Sequence, residues 1–265
     1  MKLSENEIYH ADTTHISKSG LDLIHKAPAK YYERYLNPNA PIKERSKAFI
    51  EGSAFHTSIL EPHLFKDEFV PHLPFEGTGS QQKKRQLIAM NPGKQLISME
   101  TYNMVQRMQE SVMKHPVAKQ FFNNGFAERV FKWIDPETGV KCKMKPDWYA
   151  SDQNCMVDLK SADDASPSGF GRSAFNYRYH VQAPFYTDGG IHNGINSDAF
   201  IFIAVEKEPP YLVNVTFADN DAMDLGRRTY IEDLKTYNEC KKTGIWTGYE
   251  DKITPLELPS WAENL

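Results

Sequence analysis

Two aspartates and a lysine stand out in the segment KCKMKPDWYASDQNCMVDLKSAD: Asp147 in Pro-Asp, and eleven residues on, Asp158-Leu159-Lys160. Between them Ser151-Asp152-Gln153-Asn154 is a run of turn formers. Both flanks read as strand, so the segment predicts a hairpin that brings the two carboxylates together. Side chains alternate along a strand, so Asp158 and Lys160 share a face and Leu159 points the other way, into a core. A carboxylate with apolar neighbours such as Val157 and Leu159 needs a partner or a metal to offset its desolvation. Two carboxylates and an amine on one surface can bind a divalent metal and hold a water for attack on phosphorus. Asp147, Asp158, the Leu159 carbonyl, waters and a phosphate oxygen would satisfy the near-octahedral shell of Mg²⁺. A second metal could stabilise the leaving oxygen. Lys160 reads either as a structural partner of Asp158 or as the group that orients and helps deprotonate the water and stabilises charge on phosphorus.

Other residues gain meaning beside such a site. His56 sits in a predicted helix behind the small residues Gly52, Ser53 and Ala54. Alone it reads as a packing histidine; beside a metal it is a candidate ligand or phosphate contact. Glu128 is a candidate third carboxylate. Gln182 and Tyr186, four apart on the helix after the acidic strand, share a face and read as core-rim residues or as DNA contacts. Tyr177 and Arg178 could add contacts one turn earlier. Lys141, Lys143 and Lys145 alternate with Cys142 and Met144, which makes a basic strand face: solvated, or a phosphate rail beside the metal. Lys83-Lys84-Arg85 reads as a solvated run or as a clamp on a DNA strand.

The elements that must position these groups follow from caps, breaks and periodicity. Thr14 or Ser17 can cap a helix through Gly20–Ile24, and Pro28 can open a second. A third helix runs from about Lys43 to Leu60. Residues 74–95 are a long polar stretch, expected as a mobile loop with a short helix. Ser98 starts a helix to about His115, and Pro116 to Asn123 reads as another. Then strands begin: Glu128–Ile134, Val140–Ala150 and Cys155–Ser161, a three-stranded meander. A loop containing Pro167, Gly169 and Gly171 leads to a helix over Ser173–His192. Ala199–Glu206 is an apolar strand expected to be buried on both faces. A further strand, Tyr211–Phe217, and a long helix, Asp219–Lys242, precede a Pro-broken tail expected to pack as a strap. This order predicts an α/β fold with a mixed sheet between helices and a mainly helical N-terminal part. One domain is expected over residues 1–265: helices to about 125, a sheet core over 126–217, and a C-terminal helix and tail over 218–265.

Composition sets bounds without naming a substrate. With 265 residues, 40% hydrophobic and 25% charged, the chain is ordinary for a globular protein. The net charge of −4 does not announce a nucleic-acid binder, although the local placement of Lys and Arg matters more. Three cysteines make neither a disulfide framework nor a zinc or iron–sulfur set. No apolar leader and no membrane-length apolar run is visible, so a cytoplasmic location is expected.

Taken together the motifs resemble a known pattern. Pro146-Asp147, ten residues, then Asp158-Leu159-Lys160 resembles the PD-(D/E)xK nuclease signature. Gly52-Ser-Ala-Phe-His56 with Leu60-Glu-Pro62 resembles the N-terminal histidine motif of RecE-type exodeoxyribonucleases and their phage relatives. Gln182-Ala-Pro-Phe-Tyr186 resembles the Q-x-x-x-Y motif of RecB-like, Cas4-like and RecE-like nucleases. The opening Ile16-Ser-Lys-Ser-Gly-Leu, the Ala27-Pro28-Ala turn and the closing Leu258-Pro-Ser-Trp261 are similar too. Lys145 departs from the pattern, since relatives often carry Arg before Pro-Asp; the charge survives without bidentate geometry.

The resemblance implies a restriction-endonuclease-like core and a Mg²⁺-dependent exonuclease, with Mn²⁺ substituting. It would act 5′→3′ on double-stranded DNA ends, leaving 3′ single strands for recombination by annealing. His56, Asp147, Asp158 and the Leu159 carbonyl would hold metal, Lys160 would position water, and Gln182 and Tyr186 would contact DNA. A RecT-like annealing protein, a homo-oligomeric ring and a bacterial or phage-infected cell are implied as setting. An iron–sulfur cluster is not expected, because Cys240 is the only cysteine after Tyr186. The rivals are a structure-specific or single-strand nuclease with the same core, and a non-catalytic DNA-binding or assembly subunit.

Overall fold

The computed structural model describes residues 5–41 and 45–256. Five helices come first: α1 (Glu5–Ala11), α2 (Lys18–Lys26), α3 (Pro28–Tyr35), α4 (Lys47–Leu60) and the short α5 (Phe65–Glu68). Their starts are chemical. The Ser17 hydroxyl accepts the Gly20 N–H, Pro28 stands at the first position of α3, and the Ser46 hydroxyl accepts the Phe49 N–H.

The polar stretch 74–95 carries the expected helix. It is the crossover between two parallel strands, β1 (Phe69–His72) and β2 (Gln95–Ser98), and its helix is the eleven-residue α6 (Ser80–Met90). No residue of α6 is buried. Helix α7 (Met99–Lys114) follows, capped by Ser98, and Ala118–Phe122 forms a 3₁₀ helix.

Sheet structure then begins, but not as one meander. The expected strand Glu128–Ile134 breaks at Glu128, whose φ of 53° is left-handed. Upstream, β3 (Gly125–Ala127) joins the main sheet; downstream, β4 (Phe131–Ile134) joins a separate ribbon. The expected strand Val140–Ala150 breaks likewise at Lys145–Asp147, because Pro146 has no N–H to give a ladder. Its two parts are β5 (Lys141–Met144), which pairs antiparallel with β4, and β6 (Trp148–Ala150), which pairs with β3. The main sheet is completed by β7 (Cys155–Ala162), β8 (Ala199–Glu206) and β9 (Val213–Phe217), in the order β3-β6-β7-β8-β9. Only β7 and β8 run parallel within it.

Two more helices, α8 (Pro167–Asn176) and α9 (Tyr179–Ile191), connect β7 to β8, in place of the single helix expected over Ser173–His192. The expected loop around Gly169 is helical because Pro167 opens α8 and the Ser166 hydroxyl accepts the Gly169 N–H. The break between α8 and α9 is Arg178, at φ 57°. Helix α10 (Asn220–Thr243) closes the order, capped by Asp219 and ended by Gly244 at φ 74°. Residues 245–256 form no helix or strand, and the Leu258–Trp261 motif lies outside the described residues.

Alternation along β7 divides the interior. Met156 joins one apolar cluster with residues of α2, α9, α10 and the β4–β5 ribbon. Cys155, Val157 and Leu159 join the other, with residues of α4 and α7. Fully burying a side chain such as Leu159 is worth roughly 1.5–3 kcal/mol, so each cluster pins the strand's register. Asp158 and Lys160 thereby face the same side as Met156. The result is a mixed sheet flanked by helices. Among the described residues no helix is long and apolar enough to cross a membrane.

Candidate active site

The site forms where the main sheet parts from the ribbon. Both strand breaks lie there, so Glu128 and Asp147 leave their strands side by side; the Glu128 N–H donates to the Asp147 carbonyl at 3.1 Å. Asp147 then reaches the neighbouring strand, where its Oδ2 accepts the Leu159 N–H at 2.8 Å. From the opposite layer α4 brings His56, whose Nε2–H donates to the Leu159 carbonyl at 2.9 Å. A carbonyl only accepts, so this bond places the imidazole proton on Nε2. Nδ1 then faces Asp147 Oδ2, 3.5 Å away. The carbonyl of Leu159, expected among the metal ligands, orients His56 in this arrangement.

Electrostatics make the gap receptive to a cation. Burial holds the His56 imidazolium below its usual range, with Lys160 adding to the effect, so Nδ1 offers a lone pair. Burial and the Asp158 carboxylate push Asp147 up to about 7. Burial and Asp147 likewise raise Glu128. His56, Glu128 and Asp147 each present a ligand atom, all within 4.8 Å of one another. One imidazole nitrogen, and two carboxylates whose pKa values are raised chiefly by burial, fit a hard divalent cation.

Asp158 stands beside this trio rather than in it. It is 2% exposed. Its Oδ1 accepts the Gln182 amide N–H; its Oδ2 forms an ion pair with Lys160 but takes no hydrogen bond of good geometry among the described residues. That oxygen is a further place for positive charge to settle. Burial works against the charge on Lys160, yet Asp158 and Asp147 outweigh it and hold the ammonium above the ordinary lysine value. Lys160 is therefore held as a charged donor.

Several expected DNA contacts have partners within the protein. Gln182 is buried, and its amide bridges Asp158 to Lys160, whose Nζ donates to Oε1 at 3.4 Å. Arg178 is buried too, with its guanidinium on the Leu21 carbonyl at 3.2 Å, Asp22 at 3.1 Å and Asp233. Lys143 lies inside: its ammonium donates to the carbonyls of Tyr9 at 2.5 Å and Asp12 at 2.6 Å. The basic rail is thus not built, because the segment before α2 covers that strand face; of the three lysines only Lys141 is exposed. Lys145 pairs with Glu128 and bonds Asn6 Oδ1 at 3.1 Å. Tyr186 is half-buried against the rings of Phe185 and Phe200, and burial followed by Tyr9 and Asp158 raises its phenol well above normal. Lys83, Lys84 and Arg85 are exposed on α6, in the crossover between β1 and β2 rather than among these groups.

Two neighbours of Lys160 went unread in the sequence. The Tyr179 ring centroid lies 4.6 Å from Lys160 Nζ, and Lys18 Nζ is 5.8 Å from the same ring. The spacing of Tyr179, Gln182 and Tyr186, three and four apart on one helix, was the available signal.

A family described as a PDDEXK-like domain of unknown function (DUF3799) matches residues 17–257. A search of curated proteins finds no match. Among solved structures, the crystal structure of a "Putative exonuclease" from Eubacterium rectale is similar, with a TM-score of 0.62 at 14% identity. The match covers 99% of this chain and 98% of that one. At that identity the likeness concerns the fold.

Proposed function

The chain belongs to the PDDEXK-like domain family, and from that premise we propose that it is a divalent-metal-dependent DNA exonuclease. The observation that carries the reading is the convergence of His56, Glu128 and Asp147, from three separate parts of the chain, beside Asp158 and Lys160. His56, Glu128 and Asp147 would hold the cation, with Asp158 next to them; Mg²⁺ suits the oxygen-rich set and Mn²⁺ the imidazole. A cation bound there supplies Lewis-acid charge to a phosphate and makes a water more acidic. Lys160, kept protonated by its carboxylate neighbours, orients the nucleophile and meets negative charge as it grows on phosphorus. Gln182 holds Asp158 and Lys160 in register for that work.

The RecE-like motifs at His56 and Gln182–Tyr186 favour action on double-stranded DNA ends, 5′→3′, with 3′ single strands left for annealing by a RecT-like partner. A homo-oligomeric ring and a bacterial or phage-infected cytoplasm belong to the same reading. End-labelled linear duplex should be degraded in Mg²⁺ while covalently closed duplex persists. 5′ and 3′ labels report the polarity. Asp158→Ala and Lys160→Ala should abolish cleavage; persistent cutting by pure Asp158→Ala overturns the site. Cutting of closed circles would point to an endonuclease, and DNA binding without hydrolysis to an assembly subunit.

A further inference from the structure

The turn between α8 and α9 holds an aromatic side chain that the proposed chemistry leaves unused. Tyr177 is 64% exposed. Single exposed apolar residues are ordinary, but the backbone carrying this one is tied at both its N–H and its carbonyl. The Tyr177 N–H donates to the Ser173 carbonyl at 2.9 Å, and its own carbonyl accepts Lys18 Nζ at 2.8 Å. The next residue, Arg178, adopts a left-handed φ of 57°, a costly conformation for a residue with a side chain. Its buried guanidinium, tied to Leu21, Asp22 and Asp233, keeps it there. A strained, over-determined turn thus presents an open ring at a set angle.

The ring also has a direction. Tyr177 stacks on Tyr179, with centroids 5.8 Å apart and planes 26° apart. Tyr179 lies under the Lys160 ammonium at 4.6 Å. One ring therefore separates Tyr177 from the amine that meets the scissile phosphate. A flat ligand attached to that phosphate is a nucleobase. Inside a duplex both faces of a base are covered by neighbouring bases, so only an unpaired base has a face to offer.

We propose that Tyr177 is a stacking platform for an unpaired nucleobase of the substrate strand, next to the phosphate being cut. The proposal rests on the nuclease reading above and narrows it: the strand enters the site frayed from its complement. Lys160, beside Tyr179, would stand next to the backbone of that nucleotide.

The test uses full-length protein in Ca²⁺, with single-stranded and tailed-duplex DNA carrying 2-aminopurine at successive positions. The wild type should change the fluorescence at one or two positions by stacking. Tyr177→Ala should abolish that change and bind single strands about 5- to 150-fold more weakly, the range expected for one base–aromatic stack. Tyr177→Phe should restore both. Tyr177→Leu keeps an apolar side chain against Tyr179 but no aromatic face, and should behave as Tyr177→Ala at an unchanged melting temperature. Cleavage-competent protein whose Tyr177→Ala and Tyr177→Leu variants bind and stack like wild type refutes the platform alone. A wild type that neither binds nor cuts DNA refutes the nuclease reading and the platform with it.

Discussion

Replacing Gln182 with leucine separates two roles for one side chain. In the structure its amide N–H is the hydrogen-bond donor to Asp158 Oδ1, and its Oε1 accepts Lys160 Nζ at 3.4 Å. Leucine fills a similar volume and supplies neither bond. Asp158, 2% exposed, would keep only the Lys160 ion pair. A hydrogen bond to a charged group contributes about 1.5–3 kcal/mol net, and a buried acceptor left without a donor costs about 1–3 kcal/mol. A destabilisation of about 2–4 kcal/mol follows, which at roughly 2–4 °C per kcal/mol for a chain of this size lowers the melting temperature by about 4–16 °C. With Asp158 and Lys160 no longer held in register, cleavage should slow about 10- to 100-fold, as when an outer partner of a metal site is removed. Duplex affinity measured in Ca²⁺ should stay within about twofold of wild type, an order-of-magnitude allowance for a residue buried away from ligand. Calorimetry, a cleavage time course and a binding titration give the three readouts. An unchanged melting temperature together with weakened DNA binding would refute the reasoning and return Gln182 to the role of a DNA contact.

Three further outcomes are expected. Gly226→Ala should destabilise the fold by about 1–3 kcal/mol or more, because its Cβ would stand 1.7 Å from the His180 carbonyl oxygen; Gly52→Ala, with nothing within 4 Å, should be neutral or stabilising in the same melting assay. Metal affinity, followed by calorimetric titration of Mn²⁺, should rise with pH up to about 7 and then level, because Asp147 holds a proton below that value that the cation must displace. The sign for folding is opposite: between its ordinary 3.8 and about 7 the folded state holds more protons on Asp147 than the unfolded state, so this group's contribution to metal-free stability falls as pH rises, and Asp147→Asn should remove this group's share of both effects. Joint replacement of Lys83, Lys84 and Arg85 by alanine should leave the melting temperature unchanged, since α6 buries nothing; if the helix tracks DNA, the slope of log K against log salt should shrink by about 0.9 for each phosphate no longer neutralised.

The sequence was most legible where local chemistry decides structure. Ser17, Pro28 and Ser98 mark helix starts through their own caps and rings, and the alternation of Val157, Asp158, Leu159 and Lys160 sets which face each occupies; the Ser46 cap went unread, and that helix was expected from about Lys43. It was least legible where a distant partner decides. Nothing about Arg178 itself announces a left-handed turn; Asp22 and Asp233, far away in the chain, hold it there. The same holds for Lys143, which alternation alone places on a solvent face until Tyr9 and Asp12 close over it. Glu128 was readable as a third carboxylate, but not the strand break that aims it. Gln182 was readable as important, while its partner became clear only when α9 was seen against β7.

The buried ammonium of Lys143 also bears on where this protein can be cut. The family's boundary begins at residue 17, after the carbonyls of Tyr9 and Asp12 that satisfy it. A fragment trimmed to that boundary would keep every acidic residue of the site yet strand a charge inside the ribbon that carries Met144 into the core. Glu128 would lose order as well, because its partner Lys145 is steadied by Asn6. The stretch around α1 is thus a structural part of the half that carries Glu128 and Asp147.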